Sequence, residues 1–410
     1  MPINNVKMSY MKIAMFTDAY FPRVNGVGVS VKCFGEALAK MGNEVCVVCP
    51  AYDTQKEIIT ENSEVKGFSI MRVPSVNTIF SKEDRYIKNK NFKFVAQEMD
   101  KFKPDVIHIN SEFSLGFMGK RYAKKRNIAI VFTSHTMWES YIKNYAPMLP
   151  ACVAKKIGKK IVCFYAKRAQ VVISPTDRMF KLLQSYGINR PIEILPTGID
   201  DSISKIEDKA LASFKEDIFK EFPILKNKKI LLYVGRVVKE KNLYMLFDVF
   251  SKVKEKFEDT ALFFVGGGPE LDNLKAKAKE HKYSSSICFA GYRDRNILSY
   301  FYHLADVFVF PSCTETQGLV TIEAMRAGLP VVAIGEMGTL DVMQGDNGGF
   351  MVKNDTEEFA TKVITLLSDE TLRLQKGKEA RKWSAKWSMD YLTPKLENYY
   401  KKAIQAVKSR

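Results

Sequence analysis

Residues 306–332 read DVFVFPSCTETQGLVTIEAMRAGLPVV. The apolar run Val307 to Phe310 predicts a strand, and Gly328 and Pro330 end the following helix in the usual C-terminal stop pattern. Between them stand Glu315 and Glu323, eight residues apart, with Gly318 just ahead of the first helical turn. A loop carboxylate, a helix N-terminus and a helical carboxylate are thereby gathered around one point. A helix N-terminus offers unpaired N–H groups and partial positive charge to a diphosphate. A carboxylate can accept from two vicinal hydroxyls at once. A nucleotide-sugar needs such a set, one glutamate for a ribose and the other for a sugar.

Outward from this stretch, short apolar runs alternate with segments of helical period. In the first half the strand candidates are 12–17, 45–49, 69–73, 106–109, 128–132, 171–174 and 192–195. In the second half they are 229–234, 261–265, 287–289, 307–310, 331–334 and 349–352. Fully apolar strands separated by helices mean parallel sheets covered on both faces. Two such series predict an α/β chain of two doubly wound, Rossmann-like domains, each taking ligands at its strand C-terminal ends. The boundary is placed in LPTGIDDSIS, giving domains 1–199 and 200–382, with residues 383–410 expected to be helical.

Several strand-end loops carry candidate chemistry. The first strand runs into TDAYFPRVNGVG, where Gly26 could let the backbone approach a phosphate or sugar. A plain tight turn accounts for it equally well, and neither a dinucleotide fingerprint nor a Walker loop is present. Arg236 and Lys241 follow the first strand of the second half. Together they could neutralise a diphosphate and stabilise a nucleotide leaving group. Gly266-Gly267-Gly268 follows another strand, as does the loop FAGYRDRN, in which Arg293 is a donor-binding candidate. His135, in SHTMWESY after the run IAIVFTS, could bond a sugar hydroxyl or phosphate. His108, inside DVIHINSE, reads as a strand histidine satisfied by its neighbours, and His281 and His303 read as incidental. Four scattered histidines, and no D-x-D at a strand end, argue against a catalytic metal.

The charge is uneven. Of the net +17, residues 1–200 carry +13. That excess points to an anionic partner such as a phospholipid surface, or to a lysine-rich proteome. Residues 151–170 fit an amphipathic helix with Val153, Ile157, Ile161 and Phe164 on one face and Lys155, Lys156, Lys159, Lys160 and Lys167 largely opposite. It reads either as an interfacial helix on anionic lipid or as a surface helix packed on a core. The nearby basic residues Lys88, Lys90, Lys93, Lys120, Arg121, Lys124, Lys125 and Arg126 bring the two readings level, and Trp138 joins Lys155, Lys156, Lys159 and Lys160 as a membrane or acceptor candidate. The aromatics near these basics follow no nucleic-acid-binding module. The seven cysteines, including the strand-borne Cys46 and Cys49, are expected to be buried free thiols in a reducing cytoplasm. No apolar run is long enough to span a membrane, and the N-terminus does not read as a signal peptide. The first ten residues are expected to be disordered or an extension ahead of Met11.

With these residues in view, the chain resembles retaining glycosyltransferases of the GT-B fold, family 4, over nearly its whole length. The most specific part of the likeness is the E-x7-E signature formed by Glu315 and Glu323, with Gly318-Leu319 and Glu323-Ala324-Met325. The resemblance implies two domains facing across a cleft, with the C-terminal segment returning to the first. It implies Glu315 on the donor sugar and Glu323 on the ribose. The backbone at Leu319 and Val320 would lie near the diphosphate, which Arg236 and Lys241 would bind. Gly26 matches the N-terminal glycine loop and His135 the histidine lining the reaction centre. FTDAYFPRVNGV, HTMWESY and LPTGID are similar to segments of bacterial 1,2-diacylglycerol 3-glycosyltransferases, both glucosyl and galactosyl. That likeness implies a UDP-sugar donor, a diacylglycerol acceptor, no metal, and a peripheral position on the inner face of the cell membrane. One departure is GEMGTLDVM, where many relatives have a Gly-Gly-x-Pro/Ala-Glu type of loop and Asp341 stands in place of the glutamate. A family-4 enzyme with a sugar or other small acceptor, and a UDP-sugar epimerase of the same fold, remain alternatives.

Overall fold

The computed structural model describes residues 10–409 apart from 24, 53–56, 79–83, 146–147, 316 and 346. The expectation for the N-terminal extension falls on residues 1–9, outside the described residues. The chain divides into two compact units. Unit 1 comprises Met1–Gly198 and Met389–Arg410, and unit 2 comprises Ile199–Ser388.

Unit 1 runs β1 (Lys12–Phe16), α1 (Gly26–Lys40), β2 (Glu44–Pro50), β3 (Ile59–Asn62), β4 (Phe68–Val73), β5 (Val76–Asn77), β6 (Arg85–Tyr86), α2 (Phe92–Phe102), β7 (Val106–Ile109), α3 (Ser114–Arg126), β8 (Ala129–Thr133), α4 (Trp138–Tyr145), α5 (Ala151–Ala166), β9 (Val171–Ser174), α6 (Asp177–Ser185) and β10 (Ile192–Ile194). Its sheet has the order β10-β9-β8-β7-β1-β2-β4-β3. All neighbours are parallel except β3, which pairs antiparallel with β4 at the edge. Every residue of β7, β8 and β9 is buried, as a parallel sheet clad on both faces requires. The fully exposed β3 and the two-residue pair β5–β6 were not foreseen. They carry no apolar run, and their pairing comes from the strand or loop beside them.

Unit 2 runs α7 (Asp208–Glu221), β11 (Lys229–Val234), α8 (Met245–Lys256), β12 (Thr260–Val265), α9 (Leu271–Lys279), β13 (Ile287–Gly291), α10 (Leu298–Leu304), β14 (Val307–Phe310), α11 (Leu319–Ala327), β15 (Val331–Ile334), α12 (Gly338–Met343), β16 (Gly349–Val352), α13 (Thr356–Ser368) and α14 (Glu370–Ser384). The sheet order β13-β12-β11-β14-β15-β16 is wholly parallel.

The last helix, α15 (Met389–Lys408), is part of unit 1. Met389, Leu392, Leu396, Tyr400 and Ala403 recur at helical spacing and are buried against the sheet core. Tyr400 fixes this helix to the strands. Its hydroxyl lies 2.7 Å from His108 Nδ1, and His108 Nε2 lies 2.8 Å from Thr133 Oγ1. Burial, with His135 nearby, pushes the His108 imidazole down to about 3, so the ring is neutral and both nitrogens are satisfied. Among the thiols, Cys46, Cys49 and Cys288 are buried as expected, but Cys152 is exposed on the first turn of α5. Burial pushes Cys46 and Cys49 up to about 12, which makes them inert packing groups.

Tyr400→Phe should cost about 1–3 kcal/mol, because it strands a buried imidazole nitrogen. A fall in the urea midpoint reads this directly; an unchanged midpoint would mean that the His108 bond contributes nothing.

Candidate active site

In unit 2 the chain runs outward from β11 through β12 to β13, then returns to β14 on the other side. The crevice at the C-terminal ends of β11 and β14 is where such sheets hold ligands. Both loops that enter it carry residues singled out from the sequence. After β14, Glu315 forms a close ion pair with Lys241, which lies on the loop after β11; both side chains are largely buried. Ser312 Oγ donates to the same Glu315 oxygen at 3.4 Å, and the Gly338 N–H, at the start of α12, donates to the Glu315 carbonyl at 2.8 Å.

Gly318 then turns the chain into α11 with φ 68° and ψ 46°. That left-handed conformation favours glycine, since a β-carbon there costs about 1–2 kcal/mol. The Gly318 carbonyl accepts from the Thr321 and Ile322 N–H groups at 3.0 and 3.2 Å. The Leu319 and Val320 N–H groups precede the first intrahelical bond and remain available to an anion.

One turn further, Glu323 is 3 % exposed. Its Oε1 accepts from Arg295 Nη2 at 2.6 Å and its Oε2 from the Tyr302 hydroxyl at 2.9 Å. Burial, followed by the Glu323 charge, raises the Tyr302 phenol well above its ordinary range, so Tyr302 stays a donor. A carboxylate has about four lone-pair sites, which leaves acceptor capacity for a further ligand. Neither partner was singled out from the sequence. Arg295 sits two residues past the expected Arg293, and Tyr302 lies on α10 in a run that reads only as apolar core. Arg293 itself turns aside, donating to the Ala290 carbonyl at 3.1 Å and pairing with Glu221.

Arg236 is exposed, and the Tyr233 hydroxyl holds its carbonyl at 2.9 Å. The triple glycine is more than a turn. A β-carbon on Gly266 would fall 1.9 Å from the Gly235 carbonyl oxygen, and one on Gly268 would fall 2.3 Å from that of Val237. The loop is packed backbone to backbone against the one that carries Arg236.

Unit 1 repeats the reversal between β1 and β7. The loops there line a cavity of about 990 Å³. Phe113, Phe117, Trp138, Tyr141 and Ile142 form an apolar wall, facing Asp18, Arg23, Asn25 and Asn110. Asp18 is already spoken for. It accepts from the Ser111 and Ser114 hydroxyls at 2.6 Å each and from the Leu115 and Gly116 N–H groups at 2.9 and 3.3 Å. It thus occupies the N-terminus of α3 with its own charge. Burial pushes its carboxyl up, and these four bonds hold it back. Asn25 caps α1 through the Gly28 N–H at 2.7 Å, and a β-carbon on the adjacent Gly26 would meet nothing within 4 Å. His135 follows β8; burial pushes it down to about 4, leaving a neutral ring whose buried Nε2 has no partner.

Trp138, a membrane or acceptor candidate, is 7 % exposed and lines the cavity. It packs on Phe113 with centroids 5.1 Å apart. A β-carbon on Gly158 of α5 would fall 2.7 Å from the Trp138 β-carbon, so α5 crosses α4 closely. α5 has both a core-packed face and an exposed one. Ala154, Gly158, Val162 and Tyr165 face the core. Of the apolar face named from the sequence, Ile161 is half-buried against the core, whereas Val153, Ile157 and Phe164 are exposed beside Lys155, Lys156, Lys159 and Lys160. Exposed Phe117 of α3 stacks on Phe164 with centroids 6.2 Å apart, and Met148 is exposed just before α5.

Among the described residues, no three His, Cys, Asp or Glu side chains converge as a metal site requires. No described helix is long and apolar enough to cross a membrane.

Two doubly wound units, with paired glutamates bracketing a helix start at the switch point of the second, define a GT-B glycosyltransferase. The model for Glycosyltransferase Family 4 matches residues 24–203, and that for glycosyl transferases group 1 matches residues 214–383. The chain is 30% identical to the alpha-monoglucosyldiacylglycerol synthase of Streptococcus pneumoniae over 329 residues, which is 79% of this chain and 71% of that protein. It is also 30% identical to the alpha-monoglucosyldiacylglycerol synthase of Acholeplasma laidlawii over 359 residues, 84% of this chain and 86% of the other. Its fold is similar to that of sucrose-phosphate synthase from Thermosynechococcus elongatus, with a TM-score of 0.71 at 20% identity, covering 97% of this chain and 100% of that one. The chain belongs to glycosyltransferase family 4 and is a sugar-transferring enzyme.

Tyr302→Phe leaves one oxygen of a buried carboxylate without its donor and should cost about 1–3 kcal/mol of stability. Urea unfolding measures the loss; a stability equal to wild type would show that Glu323 is not held as described.

Proposed function

We propose that this enzyme moves a hexose, glucose or galactose, from a UDP-sugar to the hydroxyl of 1,2-diacylglycerol, with retention of the α configuration and without a metal. The observation that carries the lipid acceptor is the outward face of α5. Exposed Val153, Ile157 and Phe164 interleaved with four lysines make an interfacial helix, apolar enough to enter the headgroup boundary and basic enough to prefer anionic lipid. Burial pushes the Lys120 ammonium down to about 8, and the nearby Arg168, Lys124 and Lys167 push it the same way. Lipid phosphates would relieve that repulsion. The names of both relatives reported above support the same acceptor.

In this reading, the inner face of the cell membrane presents the acceptor to unit 1, and unit 2 holds the donor. Glu323, oriented by Arg295 and Tyr302, takes the ribose. Glu315 takes the donor sugar, and the Leu319 and Val320 N–H groups, Arg236 and Lys241 take the diphosphate. The acceptor oxygen attacks the anomeric carbon on the face from which UDP departs. The C–O bond to the diphosphate breaks as the new glycosidic bond forms, and the hydroxyl proton passes to a departing phosphate oxygen. No side chain need act as nucleophile. The protein's contribution is the stabilisation of charge that develops on the leaving group. Lys241 must exchange Glu315 for phosphate as the donor binds.

Replacing Arg236 and Lys241 together by alanine should lower turnover a hundredfold or more, on the order of removing an oxyanion donor; steady-state rates with labelled UDP-sugar check it, and a small loss rejects the leaving-group role. Incubation with labelled UDP-glucose and UDP-galactose over diacylglycerol vesicles, followed by lipid analysis, tests the reaction itself. An α-monohexosyldiacylglycerol is the expected product, formed faster on anionic vesicles at low salt. Label recovered only in a water-soluble product would contradict the lipid acceptor.

A further inference from the structure

At the other end of the unit 2 sheet, where β14 and β15 begin, lies a second cavity of about 330 Å³. α14 lines it, together with the turns that lead from α10 into β14 and from α11 into β15. Helix and turn meet backbone to backbone: a β-carbon on Gly377 would fall 2.3 Å from the Gly328 carbonyl oxygen. Arg373 and Arg381 stand one turn to either side of Gly377 on the same face of α14. Both line the cavity, and so does Lys378.

Three cations therefore meet one carboxylate, Asp306, among the described lining residues. Asp306 is already engaged. Its Oδ2 accepts from the Ile230 N–H at 2.9 Å, and its Oδ1 lies 3.6 Å from Lys229 and 3.5 Å from Arg373. Arg373 is only 9 % exposed, yet its other pairing, with Glu370, is also long at 3.4 Å. A guanidinium firmly paired with a carboxylate sits at about 2.7–2.9 Å. Arg381 lies across Gly328, where a β-carbon would fall 2.9 Å from its Nη2. It donates to the Ala327 carbonyl at 2.6 Å, which caps α11 and uses one of its donors. Among the described residues, neither Arg381 nor Lys378 has a carboxylate partner. His303, also on the lining, feels the resulting field. Burial pushes its imidazole down, its bond to the Ile203 carbonyl opposes this, and the Arg381 and Lys215 charges push it down further.

Helix capping accounts for Arg381 alone. It does not account for a buried Arg373 paired only at length, or for Lys378 on the same lining. One anion satisfies all three. Guanidinium groups take phosphate oxygens in pairs, and an ammonium adds a point charge. Leu329, Pro330 and the exposed Leu374 add apolar surface for a short organic body, and the volume is at the small end of metabolite sites.

We propose that this cavity binds a phosphate monoester through Arg373, Lys378 and Arg381, at a site separate from the crevice assigned to the sugar donor. The two sites lie at opposite ends of the sheet, so neither reading depends on the other.

The test is calorimetric titration of the full chain with glycerol 3-phosphate, with glycerol as the uncharged control. Wild type should bind the phosphate and not glycerol. Lys378→Gln combined with Arg381→Gln should weaken binding at least about tenfold, the size expected for one hydrogen bond to a charged group. Lys378→Gln alone changes an exposed side chain that supports no packing; it should weaken binding severalfold and separates loss of the site from loss of the fold. Lys241→Gln should leave the affinity unchanged. A loss confined to Lys241→Gln places the phosphate in the donor crevice and overturns the proposal. A second arm uses phosphatidylcholine vesicles carrying phosphatidic acid, with phosphatidylglycerol vesicles as the phosphodiester control. Weaker binding of the cavity variants to glycerol 3-phosphate identifies a free metabolite as ligand. Weaker binding to phosphatidic acid alone, with no uptake of glycerol 3-phosphate, identifies a lipid head. Equal losses on both kinds of vesicle, or no loss in either arm, overturn the proposal.

Discussion

A carboxylate that is 3 % exposed has to be held by donors before it can hold anything else, and Glu323 is in that position. Arg295 and Tyr302 bind one oxygen each. The helix that carries it begins at a left-handed Gly318, and the loop ahead of that glycine is tied down through the Glu315 backbone and side chain. The two signature glutamates therefore differ in kind. Glu323 is a fixed acceptor set in a polar frame. Glu315 is paired with a lysine that an incoming phosphate would compete for. Sheet topology places both, because the chain reverses its direction of travel at β11 and β14 and leaves their loops side by side.

The same topological logic operates in unit 1 with different chemistry. There the helix N-terminus at the reversal is filled by Asp18, so that crevice is not prepared for a phosphate. What remains is a roomy cavity lined by both aromatic and polar side chains, next to a helix that exposes Val153, Ile157 and Phe164. The two units thus present different chemistry at the same point of the fold: one a helix N-terminus between two carboxylates, the other an aromatic-lined cavity.

The strands and the glutamate signature were legible because both depend on local pattern. Apolar runs such as 260–265 become buried parallel strands whatever surrounds them, and an E-x7-E spacing fixes geometry within one loop and one helix. Tyr302 was not legible, since its role depends on α10 and α11 lying side by side. The direction of α5 was not legible for a related reason. Its period allowed either face to be buried, and the choice fell to Gly158, where close approach to Trp138 brings the small residues inward. Among the cysteines, Cys152 was misplaced because a helix's first turn can lie on the surface even within an apolar stretch.

The central claim is that the β11 and β14 loops of unit 2 form one receptor for UDP. Its most direct measurement is a crystal structure of the enzyme with bound UDP. The account predicts the ribose hydroxyls on Glu323, and the diphosphate within hydrogen-bonding distance of the Leu319 and Val320 N–H groups, Arg236 and Lys241. UDP bound elsewhere, or bound there with the Lys241–Glu315 pair unbroken and Arg236 turned away, would contradict it.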